Sequence, residues 1–204
     1  LVKNFGLVVI GAHFGVWLQE QISKHKNHNI LLVEPVPYNY EILNENFSNN
    51  KNILICHNAI FSKNIKKNFY FVKENSITKL GKHWASGIGS FDKQHILNHR
   101  SKRFKITEED VDKIEIQFIT FDDLIKKYEI NSIDNLQIDV EGAEFEILNS
   151  IDFNKININS IQFESKHFDG TFTEGPKLET IKNKLNQNGY NISQLDKENI
   201  IAKK

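Results

Sequence analysis

The strongest constraint on this chain is a rhythm of buried apolar runs and amphipathic stretches. Phe5–Ile10 is apolar, rich in β-formers, and ends at Gly11, whereas Phe14–His25 carries Val16, Leu18 and Ile22 at helical spacing. Asn29–Glu34 is a second apolar run stopped by Pro35 and Pro37, and a proline after Glu34 keeps that residue extended. Tyr38–Phe47 then reads as a helix with Ile42 and Leu43 inward, and Asn52–His57 as a third strand. Such β-α-β-α-β alternation requires a parallel sheet with right-handed crossovers.

The pattern resumes later. A helix is expected at Phe121–Tyr128, a strand at Leu136–Asp139, a helix at Gly142–Ser150, a strand at Ser160–Glu164 and a helix near Pro176–Asn188. Tyr190–Leu195 and Asn199–Ala202 flank Asp196-Lys197-Glu198 and read as a closing antiparallel hairpin. Residues 61–113 break the rhythm. Strands are expected at Asn68–Lys73 and Glu115–Thr120, with a long polar loop or small insertion between them. The 204 residues suit one domain carrying that insertion.

Two strand-to-helix turns concentrate the chemistry. Asp139-Val140-Glu141-Gly142-Ala143-Glu144 follows the apolar run Ile133–Ile138, so it places carboxylates at the carboxyl edge of a sheet, where open α/β folds bind ligands. Gly11-Ala12-His13-Phe14-Gly15 lets a ligand approach the backbone, and free amides at the helix start would hold a carboxylate or phosphate. It lacks the three-glycine pattern of dinucleotide binders. Glu34 ends the second strand, where an acid can accept hydrogen bonds from ribose hydroxyls. Turn and acid together read as a nucleoside site, without separating a nicotinamide cofactor from S-adenosylmethionine.

Bulk properties exclude several classes. Acidic and basic residues balance at 26 each and are interspersed, which argues against a nucleic-acid partner. Cys56 is the single cysteine and sits in an apolar run, so no disulfide framework exists and a cytoplasmic, reducing compartment is expected. No apolar run is long enough to span a bilayer, and no signal peptide opens the chain. The chain opens on Leu1 and contains no methionine, the pattern of a reading that begins inside a longer chain.

With these residues in view, the sequence resembles the FkbM family of S-adenosylmethionine-dependent methyltransferases. The resemblance rests on Ile10–Gly15, Val33-Glu34-Pro35, Asn58-Ala59-Ile60, Ile119–Leu124, Leu136–Glu144 and the Gly189-Tyr190 hairpin; Asp139–Glu144 is the most specific part. It implies a Rossmann-like class I fold, with a seven-stranded, mostly parallel sheet and an antiparallel C-terminal hairpin. It also implies methyl transfer to a hydroxyl of a saccharide, glycolipid or polyketide. By the same resemblance Gly11, Ala12, His13 and Gly15 would cradle the cofactor's amino-acid end. Glu34 and Pro35 would lie at the ribose, Asn58 and Ala59 at the adenine, and Asp139 and Glu141 beside the cofactor. Two positions depart from the family: Val9 stands where Asp is usual, and His13 where Asn is usual.

A hydroxyl nucleophile must lose its proton as it attacks. If the strands ending in Asp139 and Glu164 are neighbours, both carboxylates face one crevice, and either could be the base or share a divalent cation; no metal is assigned. His13 is a further candidate base. His83, Trp84, Ser86, Ser90 and His167 are candidates for binding the acceptor, an aromatic among hydroxyls being suited to a sugar. His95 and His99 stand at zinc-like spacing, but without an evident third ligand they are expected to be an exposed pair. Two other readings remain: a non-catalytic binding protein on the same fold, supported by Val9, and a nicotinamide-dependent oxidoreductase, supported by the glycine turn and Glu34.

Overall fold

The computed structural model describes residues 3–204. The first half of the sheet follows the expected alternation: β1 (Lys3–Ile10), α1 (Gln19–Lys24), β2 (Asn29–Val33), α2 (Pro37–Phe47) and β3 (Ile53–Cys56). Next come β4 (Ala59–Ile60), β5 (Ile65–Val72), α3 (Glu74–Leu80), β6 (Gly89–Ser90), α4 (Lys93–Asn98) and β7 (Val111–Ile119). The chain closes with α5 (Phe121–Lys127), β8 (Ile130–Ile138), α6 (Glu144–Ser150), β9 (Asn157–Glu164), α7 (Pro176–Gln187), β10 (Asn191–Gln194) and β11 (Asn199–Lys203).

Seven strands form one sheet in the order β3-β2-β1-β8-β9-β11-β10. Every pairing from β3 to β9 is parallel, and β11 runs antiparallel to both β9 and β10. This is the expected class I Rossmann-like sheet with its closing hairpin. Strand order reverses between β1 and β8, and a crevice therefore opens beyond their carboxyl ends.

Alternation along the strands divides the core between two faces. Val8, Ile10, Leu31, Val33, Leu136 and Ile138 pack with Phe121, Leu124, Ile147, Leu148, Ile181 and Leu185. Leu7, Val9, Ile30 and Leu32 pack on the other face with Leu43 and Phe47 of α2. Val9 is 2% exposed and belongs to that apolar layer.

Of the loop and the small insertion expected over residues 61–113, the structure has the insertion: β5 and β6 join β4 and β7 in a second sheet of order β4-β7-β5-β6, with its own apolar cluster of Phe69, Phe71, Ile116 and Phe118 against Val36. Two expectations need correction. The helix expected from Phe14 is displaced. His13 and Gly15 take left-handed backbone (φ 53° and 79°), so the segment continues as a single turn at Val16–Leu18 and the short α1. Likewise α6 starts at Glu144 rather than Gly142, because Glu141 and Gly142 are left-handed (φ 55° and 104°).

Candidate active site

Strand register assembles the site. Ile10 pairs with Val33 on one side and Ile138 on the other, and Ile138 pairs with Phe163. One residue further along, Gly11, Glu34, Asp139 and Glu164 share the carboxyl edge of the sheet. Gly11 has φ 90°, and a Cβ there would lie 1.7 Å from the Asp139 carbonyl oxygen, so only glycine lets the two turns pass each other.

The first turn is closed on itself. The Gly11 and Ala12 amides both donate to the Val33 carbonyl, and the Gly15 amide donates to the Ala12 carbonyl. The His13 amide donates to Glu34 Oε2 (2.7 Å), and the Val36 amide donates to Glu34 Oε1 (2.8 Å). The expected row of free amides is therefore absent at these positions, and Glu34 replaces it as the polar group of the turn. Burial pushes Glu34 up to about 7, against the pull of the Val36 and His13 amides. Gly15 serves packing, since a Cβ there would lie 2.4 Å from the Phe47 ring.

His13 Nε2 lies 2.7 Å from Ser86 Oγ, whose hydroxyl donates to the His83 carbonyl (2.8 Å). The ring proton is thereby assigned to Nε2, leaving Nδ1 as the free base. Burial, reinforced by His83, lowers His13 to about 4, so its imidazole is neutral at physiological pH and a weak base.

The second turn uses the same device. Glu144 is fully buried, and it accepts the Val140 amide at Oε1 (2.8 Å) and the Gly142 amide at Oε2 (2.9 Å). Burial pushes it up to about 8, against the pull of the Val140 amide and its own. With the turn so fixed, Asp139 opens onto the crevice while Glu141 swings into a buried group of His95, His99 and His167. Packed protein, the Glu141 carboxylate and Glu198 push Asp139 up to about 7, with Lys166 opposing. Burial raises Glu141 too, but the ring nitrogens of His167, His95 and His99 outweigh it and hold the carboxyl well below its ordinary range.

Glu164 stands beside Asp139 as expected, but it is buried and its Oε1 pairs with Lys166 Nζ (2.7 Å). Asp139, Glu144 and Glu164 each bring a carboxylate oxygen within 4.8 Å of the others. Asp139 is the carboxylate of the pair that lines the crevice.

The crevice has two joined parts. A cleft of about 340 Å³ is lined by Ala12, His13, Trp17, Gln21, Gln137 and Gln162. An apolar slot of about 40 Å³ lies between Pro35, Val36, Ala59, Phe69, Phe91 and Phe118. Gly11, Glu34, Gly87 and Asp139 line both. A further cleft of about 610 Å³, lined by Lys82, Trp84, Arg100, Arg103, Lys166 and Phe172, adjoins them at Trp84 and Glu141.

The other expected residues divide. Trp84 lines the polar cleft, Ser90 lines the apolar slot, and Asn58 lines that slot while its side chain bonds Gln117 and Lys127. Ser86 is buried beneath His13, and His83 is exposed beside Trp17. His167 is 2% exposed and so is closed to an acceptor; His95 and His99 are buried, not an exposed pair. Sequence reasoning missed Trp17, which is 64% exposed on the cleft rim. Its signal was an indole beside the Val16, Leu18 and Ile22 stripe, in the segment where the expected helix gives way to a single turn before α1.

The slot is apolar, the cleft is polar, and a buried acid stands where they meet. The profile of the methyltransferase FkbM domain matches residues 10–192. No curated protein matches the chain. Among solved structures, the precorrin-6y C5,15-methyltransferase of Geobacter metallireducens is 11% identical, with TM-score 0.46 over 100% of this chain and 82% of that one. The Aeropyrum pernix fibrillarin in complex with S-adenosyl-L-methionine is 10% identical, with TM-score 0.45 over 98% of this chain and 66% of that one. A SAM-dependent methyltransferase of Aquifex aeolicus is 10% identical, with TM-score 0.41 over 99% of this chain and 82% of that one. No helix among the described residues is long and apolar enough to cross a membrane. The chain belongs to the FkbM methyltransferase family, and S-adenosylmethionine is its methyl donor.

Proposed function

We propose that this chain is an O-methyltransferase acting on a hydroxyl of a saccharide, glycolipid or polyketide-type acceptor in a reducing, cytoplasmic setting. The observation that carries the reading is the placing of Glu34 and Asp139 at the junction of the apolar slot and the polar cleft. When bound, S-adenosylmethionine supplies a methyl group already activated on a sulfonium. The protein's task is then positioning and proton removal.

Glu34 would accept the ribose hydroxyls on the lone pairs its two amide contacts leave free. Pro35, Ala59, Phe69 and Phe118 would enclose the adenine, and Gln21, Gln137 and Gln162 would face the polar tail. Asp139 would take the hydroxyl proton as the acceptor oxygen gains the methyl group. A carboxylate raised to about 7 suits that role better than His13 at about 4. Trp17 and Trp84 offer indole faces to a sugar ring, and Arg100 and Arg103 line the adjoining cleft. Zero net charge supports a glycan or small-molecule acceptor over a nucleic acid. Val9, buried among apolar side chains, supports repacking of that position rather than loss of the crevice.

The test is transfer of labelled methyl groups from the donor into hydroxylated glycans and glycolipids, comparing wild type with Asp139→Asn. Label in the acceptor with wild type and not with the variant supports the reading. Undiminished transfer by the variant removes Asp139 from the mechanism, and transfer to nucleic acid instead overturns the acceptor class.

A further inference from the structure

Glu141 Oε2 lies 3.1 Å from His167 Nε2, 3.4 Å from His99 Nε2 and 3.6 Å from His95 Nε2. All four ligand atoms fall within 4.8 Å of one another, and the three histidines are buried. Distances of this size suggest hydrogen bonds, yet His95 Nε2, His167 Nε2 and Glu141 Oε2 have no partner in hydrogen-bonding direction. Buried polar atoms left so are costly. Their spacing has another explanation. A tetrahedral zinc ion with bonds of about 2.0–2.1 Å has ligand-to-ligand edges of about 3.3 Å, with lone pairs aimed at the centre rather than at each other.

The ring tautomers favour the same conclusion for two histidines. His99 Nδ1 lies 3.0 Å from the His95 carbonyl, which only accepts, so Nδ1 carries the proton and Nε2 presents a lone pair. His95 Nδ1 lies 3.1 Å from Thr171 Oγ1, an arrangement that can orient its ring in the same way. Room for that ring comes from Gly142, where a Cβ would lie 3.2 Å from His95 Cε1. His167 differs, because its Nδ1 accepts the Phe172 amide (3.0 Å), which places the proton on Nε2. Coordination by His167 requires that amide to turn away, making it the fourth and weakest ligand.

We propose that His95, His99, Glu141 and His167 form a site for a zinc-class divalent metal ion. Because the ligands come from α4, the β8–α6 turn and the segment after β9, the ion would clamp the inserted sheet to the crevice wall. A donor set of three buried histidines and one partly buried carboxylate, all from the protein, suits a structural ion. The inference does not depend on the methyl donor being bound.

The experiment uses the untagged chain, stripped with a chelator and dialysed against zinc or cobalt(II), with metal content read by elemental analysis. One equivalent should be retained, and the cobalt form should show the intense visible bands of four-coordination. His95→Asn/His99→Asn should lose that equivalent, His167→Gln should hold it more weakly, and the exposed-residue control His28→Asn should be unchanged. Metal removal should also speed hydrogen exchange in α4 and in residues 166–172. No retained metal in the wild type, a weak six-coordinate cobalt spectrum, or full retention by the folded double variant would overturn the proposal. Should the double variant not fold, the wild-type stoichiometry and cobalt spectrum decide alone.

Discussion

The two strand-to-helix turns of the crevice are built alike and used differently. Each contains a glycine with positive φ, Gly11 or Gly142, and a left-handed non-glycine residue, His13 or Glu141. Each is held by a buried carboxylate that accepts two backbone amides, Glu34 in the first and Glu144 in the second. Glu34 also faces the crevice, whereas Glu144 is sealed inside. One acid can therefore both shape its turn and meet a ligand, while the other only shapes. In the second turn the crevice-facing position passes to Asp139.

Substitutions at matched positions should separate the turns. The largest effect is expected for Gly11→Ala, whose Cβ would overlap the Asp139 carbonyl in addition to the backbone strain. The loss should be about 3 kcal/mol or more by urea unfolding. Gly142→Ala meets the His95 ring at 3.2 Å rather than a backbone carbonyl and should lose less, about 1–2 kcal/mol. Equal losses would show that the backbone crossing at Gly11 does not matter.

Among the acids, Glu144→Ala leaves two part-buried amides without their acceptor and empties a buried position, and should lower stability by about 2–4 kcal/mol. Glu34→Ala should in addition weaken S-adenosylhomocysteine binding by about 1–3 kcal/mol, measured by titration calorimetry. Unchanged affinity would place the ribose elsewhere. Asp139→Asn should leave stability and cofactor affinity nearly intact while slowing methyl transfer by about 10²–10⁴-fold. At saturating methyl donor, wild-type transfer should rise with pH as Asp139, held above the ordinary carboxylate range, ionises, and the variant should lack that limb.

Six strands of the main sheet were legible as runs rich in apolar residues cut off by glycine, proline or a polar cluster, and the polar β10 as the partner of β11 across Asp196-Lys197-Glu198. Their register, and with it the alignment of Gly11, Glu34, Asp139 and Glu164, came from the pairing of β1 with β2 and β8 and of β8 with β9. The second sheet was not legible as a whole. β6 has two residues and α4 has six, too few for a period to show, and their order depends on pairing with β5 and β7. Backbone hydrogen bonding of the first turn was equally hidden, since it depends on the Val33 carbonyl and the Glu34 side chain converging there. His95 and His99 were visible as a pair at four-residue spacing. Their burial, and the arrival of Glu141 and His167 from two distant segments, required the fold.

The central claim is that a nucleoside lies at the junction marked by Glu34. The most direct test is calorimetric titration of S-adenosylhomocysteine across pH 6 to 8 for wild type and Glu34→Gln. Ribose hydroxyls favour the ionised carboxylate, so with Glu34 raised to about 7 the wild type should bind more tightly as pH rises through that value. The glutamine variant should bind more weakly and show a flat profile. No binding by the folded wild type, or an identical pH profile in the variant, would contradict the account.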